Sequence, residues 1–300
     1  MSEPAWPGYF ADPFVLRVRD EYFAFGTGNT HEEGVFGVLG SPDLRQWQSL
    51  GSALVRLDPS VGDEYWAPEV VQANGAFWMY YSAGHGIRGH HIRVARAAEA
   101  AGPYVDLGLN LTPDELFAID PHPFQDIDGT WYLYYARDVL DDPRPGTHLA
   151  VDKLVSMIAL AGAASVVLAP NDDWQIYARD RAMYDGIHNW HTLEGPTVVY
   201  RHGAYWLTFS GGSWEGSGYG VSWARASTPR GPWEHAPTGT ARLLQSSAEF
   251  IGPGHSSVTT DKQGADVIAF HAWTPDQQRR VMHLRYVMFT ENGPKLGPPL

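Results

Sequence analysis

The sequence predicts an all-β protein, a five-bladed β-propeller in a single domain over residues 1–300, and three observations carry that expectation. The chain holds 12 Trp, 15 Tyr and 12 Phe, punctuated by 32 Gly and 22 Pro. Rings favour pleated surfaces, while Gly and Pro mark the turns between them. One layout recurs five times: a Pro- or Gly-marked entry, an apolar strand, a polar turn and an aromatic strand. Behind each hairpin lies enough chain for two more strands, and four-stranded units repeated radially are how propellers protect their edges. A β-sandwich is the competing architecture on repeats alone.

The first unit is "DPFVLRVRDEYFAFGT" from Asp12, followed by "GVFGVLGSPDLRQWQSLG". The second is "APEVVQANGAFWMYYSA" from Ala67, turning at Gly75, and it continues through "HIRVARAAEAAGPYVDLG". "DPHPFQDIDGTWYLYYA" from Asp120 opens the third and turns at Gly129. Its second half, "THLAVDKLVSMIALAGAA", has helical composition, but the repeat register assigns it to strands. "EGPTVVYRHGAYWLTFSG" from Glu194, turning at Gly203, and "YGVSWARASTPRGPWEHA" make the fourth. "GPGHSSVTTDKQGADVIAFHAW" from Gly252, turning at Gly264, and "RVMHLRYVMFTENGPKLG" make the fifth. The longest stretch between units, Asn171 to Leu193, is polar and aromatic and runs directly into Glu194, as a site-lining loop or a plain surface excursion would.

Charge and composition narrow the function. A net charge of -13 argues against nucleic acid or an anionic membrane surface as partner, and favours a neutral ligand. No apolar run of about 18 residues and no basic-apolar leader is visible, so a cytoplasmic protein with no membrane partner is expected. The absence of Cys removes disulfides, thiolate metal sites and cysteine nucleophiles.

Three acids stand out: Asp12 in "ADPFVL", Asp120 in "AIDPHPF" and Glu194 in "LEGP". An unpaired buried carboxylate is costly, so such settings need a partner or a task. Taken singly, Asp-Pro and Glu-Gly-Pro also serve as turn signals. Taken together, the three are expected in matching register at one end of innermost strands, converging on a central channel.

"ADPFVL", "YWAPEVV", "IDPHPFQDIDGTWYLYYA", "LEGPTVVYRHGAYWLTFSGG", "GPGHSSV", "IAFHAW" and "RVMHLRYVMF" follow one another in an order and spacing that resembles glycoside hydrolase family 43 over nearly the whole chain. The resemblance implies a five-bladed propeller that hydrolyses pentosides with inversion. It implies Asp12 as general base, Glu194 as general acid, and Asp120 as the group that orients the acid and raises its pKa by like-charge repulsion. Inversion needs one protonated and one ionised carboxyl on opposite faces of the sugar. Trp66 and Trp214 are expected to stack on sugar, with Arg280 facing substrate as the family's arginine near the last blade does; Trp190 and His191 in the insert are further candidates. Blade packing is the alternative for each ring, and a surface salt bridge for Arg280. His255 in "GPGH" corresponds to a histidine that in relatives holds either a hydrated calcium ion or water, so one calcium is expected near it. "HGIRGHH" lacks metal-ligand spacing at His85, His90 and His91, and "NLT" at Asn110 is a sequon by pattern alone.

Release of terminal α-L-arabinofuranose from plant cell-wall arabinan or arabinoxylan oligosaccharides is the expected activity. The alternatives are a β-xylosidase, a bifunctional xylosidase/arabinofuranosidase, an endo-arabinanase, or a sugar-binding propeller without catalysis. Many xylosidases of the family carry a C-terminal β-sandwich, and no such sandwich is expected here, which tilts the reading towards arabinofuranosidase.

Overall fold

Neighbouring residues along the aromatic strands are apolar on both faces, so each strand must bury both sides, and sheets stacked face to face do that. The computed structural model describes residues 2–29 and 34–300. Blade one is β1 (Ala11–Val18), β2 (Glu21–Asn29), β3 (Gly34–Ser41) and β4 (Gln48–Val55), paired antiparallel in chain order. Blade two repeats this with β5 (Glu64–Ala73), β6 (Ala76–His85), β7 (Arg88–Ala97) and β8 (Val105–Asn110). Blade three has β9 (Ala118–Gln125), β10 (Trp131–Val139) and β11 (Gly146–Ser156), with its outer edge split into β12 (Ala159–Leu160) and β13 (Ser165–Leu168). The insert forms a 3-10 turn, Asp173–Gln175, and β14 (Ile176–Met183), which pairs with the long β15 (Gly186–Arg201). Blade four continues through β16 (Ala204–Gly211), β17 (Gly220–Ala226) and β18 (Glu234–His235). Blade five is β19 (Ile251–Thr260), β20 (Asp266–Trp273), β21 (Arg280–Thr290) and β22 (Gly293–Pro299).

Each pair of adjacent blades encloses its own apolar cluster, and the ring closes where Val267, Ala269 and Met282 of blade five meet Val15, Tyr22 and Ala24 of blade one. Alternation assigns side chains to interfaces: Tyr81 packs towards blade one and its neighbour Tyr80 towards blade three. The N-terminal segment completes the closure, with the Ala5 and Phe10 N–H groups donating to the Met282 and Arg280 carbonyls. The stretch of helical composition is a strand for the same reason. Leu149 and Val151 enter the cluster facing blade four, whereas Ala150 and Leu154 enter the one facing blade two. A period-two pattern buried on both faces overrides helix propensity. Blades three and four touch edge to edge through Gly146 and Thr147, which pair in parallel with His191 and Thr192. A Cβ on Gly146 would stand 1.9 Å from the His191 carbonyl oxygen, so this approach requires glycine.

The innermost strands share a second feature. Asp12, Ala67, Asp120, Gly195 and His255 all adopt the left-handed conformation, with φ of 51, 47, 58, 56 and 47°. Four of them carry a Cβ, a backbone setting that costs on the order of 1–3 kcal/mol each and persists only when neighbours enforce it. The neighbours are side chains of the preceding blade. The N–H of Ala67 donates to Thr27 Oγ1 (2.8 Å), that of Asp120 to Ser82 Oγ (3.0 Å), that of His255 to Ser210 Oγ (2.7 Å) and that of Asp12 to His271 Nδ1 (3.1 Å). In blade three the equivalent position is Ala136, which has nothing to offer, and the Gly195 N–H turns instead to Asp120 Oδ2 at 2.9 Å.

This pattern corrects one expectation. Thr27, Ser82, Ala136, Ser210 and His271 pair with Ala11, Trp66, Ile119, Glu194 and Gly254 respectively. Glu194 therefore sits one residue ahead of the register occupied by Asp12 and Asp120, and the residue that matches them is Gly195.

Candidate active site

The bulges at the head of the inner strands turn Asp12, Asp120, Glu194 and His255 into one pocket of about 370 Å³. Asp12 is clasped from three sides. His271 Nδ1 lies 3.2 Å from its Oδ1, His255 Nδ1 3.4 Å and Arg280 Nη1 3.4 Å. Burial alone would raise its pKa, but the charges of His255 and Arg280 beside it outweigh that and hold the carboxyl well below the usual range. Burial pulls His255 itself down, so Arg280 is the permanent cation in this group. Asp12 is thus an ionised acceptor at neutral pH.

Glu194 has the opposite character. Burial pushes its carboxyl up to about 7, the Asp12 charge adds to the rise, and a hydrogen bond from Tyr219 together with Arg280 pulls the other way. Tyr219 O–H donates to Glu194 Oε1. Its ring is buried and stacks on His271, centroids 5.7 Å apart and planes 10° apart, so the partner of the acid rests on the partner of Asp12. Glycine at 254 is what admits that ring, since a Cβ there would fall 1.8 Å from it.

Asp120 and Glu194 repel one another when both are ionised. Burial and the Glu194 and Asp12 charges push the Asp120 carboxyl well above the ordinary range, so Asp120 and Glu194 compete for a proton across the pocket. What lifts Glu194 is burial, then Asp12. Asp120 works through the backbone, accepting the Gly195 N–H and fixing the peptide that follows the acid.

The pocket walls bring together three of the five expected substrate contacts. Arg280 lies 4.5 Å over the Trp214 ring and donates to Tyr9 Oη at 3.2 Å, while Trp214 stacks on Trp273 at 6.2 Å. Trp66 lines the opposite wall, backed by His90 at a centroid distance of 3.5 Å. Burial lowers the His90 pKa to about 4, so the one buried histidine of "HGIRGHH" is a neutral support for a tryptophan. Trp190 and His191 are the exceptions. Only 2% exposed, Trp190 packs on Tyr184 and His188 inside the insert and does not line the pocket. Residue 190 falls on the inward face of the hairpin, and it is Tyr177 on β14 that reaches the pocket. His191 is also buried away from it, with Arg144 Nη1 3.0 Å from its Nε2.

Tyr219 and His271 were missed from sequence. His271 had a signal, because it stands where other repeats carry Thr or Ser. Tyr219 had none, since it meets Glu194 only across strands.

Calcium takes six to eight oxygen ligands. Among the described residues no cluster of three or more His, Asp or Glu is arranged to hold a metal. His255 offers one imidazole whose Nδ1 already faces Asp12 at 3.4 Å and Asp120 at 3.8 Å. An ion here would rest on that one imidazole and draw its oxygen ligands from water.

A propeller whose axis pairs an ionised carboxylate with a protonated one, under a wall of tryptophan and arginine, is built for carboxylate-catalysed glycoside hydrolysis. Residues 1–294 match the glycosyl hydrolases family 43, and the chain belongs to that family. It is 29% identical to a β-D-galactofuranosidase of Aspergillus niger, over 97% of this chain and 83% of that one. It is 23% identical to an extracellular exo-α-(1->5)-L-arabinofuranosidase of Streptomyces avermitilis, over 87% of this chain and 54% of the relative. Among solved structures, a thermostable family-43 glycoside hydrolase superposes with a TM-score of 0.84 at 28% identity, covering 97% of this chain and 93% of the other. Membership in a family of hydrolases decides against the non-catalytic sugar-binding propeller.

Proposed function

We propose that the protein is an inverting exo-α-L-arabinofuranosidase. The observation that carries this reading is the convergence of Asp12 and Glu194 on one small pocket, Asp12 beside the Arg280 guanidinium, which favours its ionised form, and Glu194 in a buried setting that raises its pKa. Asp12 takes a proton from water as the water oxygen attacks the anomeric carbon. The bond from that carbon to the leaving oxygen breaks as Glu194 delivers its proton to it. Asp12 is ready as base at any pH above its depressed pKa, and Glu194 is ready as acid below about 7, so the two states coexist near neutrality. Arg280 and Trp214 hold the sugar against the base, and Trp66 closes the other wall.

At about 370 Å³ the pocket lies near the lower end of small-ligand sites, a size suited to one terminal sugar. Support for a furanoside comes from the names of two relatives, a β-D-galactofuranosidase and an exo-arabinofuranosidase. The rings of β-D-galactofuranose and α-L-arabinofuranose share their configuration and differ by one exocyclic carbon. A β-galactofuranosidase is accordingly the second reading, and a xylan 1,3-β-xylosidase of Vibrio at 24% identity keeps xyloside in the comparison. The test is kcat/KM on the nitrophenyl α-L-arabinofuranoside, β-D-galactofuranoside and β-D-xyloside. The arabinofuranoside is expected to lead; a lead by either of the others overturns the assignment.

A further inference from the structure

Beneath the catalytic acids lies a buried pair, Glu69 and His122, that takes no direct part in the proton transfers. Glu69 Oε2 and His122 Nδ1 are 2.7 Å apart, each residue is 7% exposed, and neither lines the pocket. We propose that they are a positioning pair: Glu69 fixes the His122 ring, and the ring fixes the strand that presents Glu194. This rests on the reading of Glu194 as the general acid and adds what holds that acid in place.

The repeat shows why these two residues meet. Past its bulge each inner strand is paired on one side only, and a buried N–H on the other side needs an acceptor. The residue three beyond the left-handed position turns its N–H to the preceding blade, where the residue two beyond supplies the acceptor. Val15 N–H donates to Ser257 Oγ at 3.3 Å, and Val198 N–H donates to His122 Nε2 at 3.0 Å. In blade three the corresponding donor position is Pro123, which has no N–H. Glu69, the residue that would serve it, takes His122 Nδ1 instead. A backbone N–H can only donate, so the His122 lone pair is on Nε2 and its ring proton on Nδ1, pointing at Glu69. One imidazole thus joins the inner strands of blades two, three and four.

The acid needs such a hold. Pairing of β15 with β16 is interrupted between Glu194 and Thr197, so the sheet does not fix the segment that follows the acid. Two contacts from β9 do: Asp120 Oδ2 accepts the Gly195 N–H and His122 Nε2 accepts the Val198 N–H. Asp120 and His122 are two residues apart on β9, so one strand sets both anchors. The Glu69 charge is felt at Asp120 and at His255, after burial and the nearer acids, which puts the pair directly under the floor of the site. A misplacement of about 1 Å at a reacting group can cost about 10²-fold in rate.

The test measures kcat and KM on nitrophenyl and alkyl glycosides of the preferred sugar, because nitrophenol departs with little protonation whereas an alcohol needs the acid. Glu69→Leu combined with His122→Phe removes the pair without stranding a buried charge, and leaves the Val198 N–H without its acceptor. It is expected to lower kcat about 30-fold on the alkyl glycoside and less than about fivefold on the nitrophenyl one, with KM within about twofold. Glu69→Leu alone leaves the ring unfastened; it carries the same bias at about tenfold and serves if the double variant does not fold. Glu69→Gln still accepts from Nδ1 and is expected to restore kcat to within about threefold of wild type on both glycosides. Equal losses on the two glycosides, a rise in KM with kcat kept, or wild-type rates in folded Glu69→Leu overturn the proposal. So does a loss in Glu69→Gln as large as in Glu69→Leu, which would assign the effect to charge. Glu194→Ala is the reference. A leaving-group bias there and none in the pair variants removes the pair alone, whereas no bias in Glu194→Ala removes the acid assignment beneath it.

Discussion

Replacing Tyr219 by Phe removes one oxygen from the site and little else. The ring keeps its stack on His271 and its place against Gly254, so the fold and the clasp on Asp12 persist. What is lost is the O–H that donates to Glu194 Oε1. Hydrogen bonds to charged acceptors are worth about 1.5–3 kcal/mol, and a pKa unit corresponds to about 1.4 kcal/mol, so the bond is worth about one to two units to the ionised form. The sign follows from which form it favours. Donation to Oε1 stabilises the carboxylate and pulls against burial, so its removal lets the Glu194 pKa rise from about 7. The alkaline limb of kcat/KM should move up by about one unit, allowing for partial replacement by water. The bond also sets which oxygen of Glu194 is occupied, leaving Oε2 to carry the acidic proton. Its loss should lower the plateau rate about tenfold for poor leaving groups and less for nitrophenol, which departs with little protonation. The assay is the pH profile of kcat/KM on nitrophenyl and alkyl glycosides, with circular dichroism to confirm folding. A limb that stays in place or moves down in folded Tyr219→Phe would refute the reasoning.

Asp120→Asn keeps an acceptor for the Gly195 N–H but removes the charge coupled to Glu194, so the alkaline limb is expected to move down, whereas Asp120→Ala also strips that acceptor and should cost at least about tenfold more in kcat. An unmoved limb in folded Asp120→Asn would contradict the like-charge role. Gly254→Ala drives a methyl into the Tyr219 ring and should lower stability by about 2 kcal/mol or more in urea melts, together with activity; wild-type stability would mean that the ring has room to move. Dialysis against EDTA should leave kcat/KM unchanged, since His255 supplies a single imidazole to any ion; loss of activity restored by calcium would contradict that view.

The repeat made most of the fold legible. Five hairpins with Pro- or Gly-marked entries are a local signal, and each became an inner and a second strand at the expected place. Asp12 and Asp120 were legible because Asp-Pro occupies the same bulge in two blades. Glu194 was legible by motif but misregistered by one, because Gly195 takes the left-handed position and leaves the acid a residue earlier. Contacts between strands distant in the chain left no mark. Tyr219 reaches Glu194 from the head of β17, and His271 reaches Asp12 across the ring closure. Trp190 failed for a related reason. In a two-residue period, one position decides whether a ring faces solvent or the body of the protein, and the irregular pairing of β14 with β15 between Ala178 and Arg181 could not be read from sequence.

The division of labour between an ionised Asp12 and a protonated Glu194 is tested most directly by the anomer that forms first. Proton NMR should follow an α-L-arabinofuranoside during the opening minutes of hydrolysis, before mutarotation mixes the products. Direct attack of Asp12-activated water predicts the inverted, β-configured arabinose as the first species to appear. Initial formation of the α-configured sugar would mean a covalent sugar–enzyme intermediate, and would contradict the assignment of Asp12 as a base.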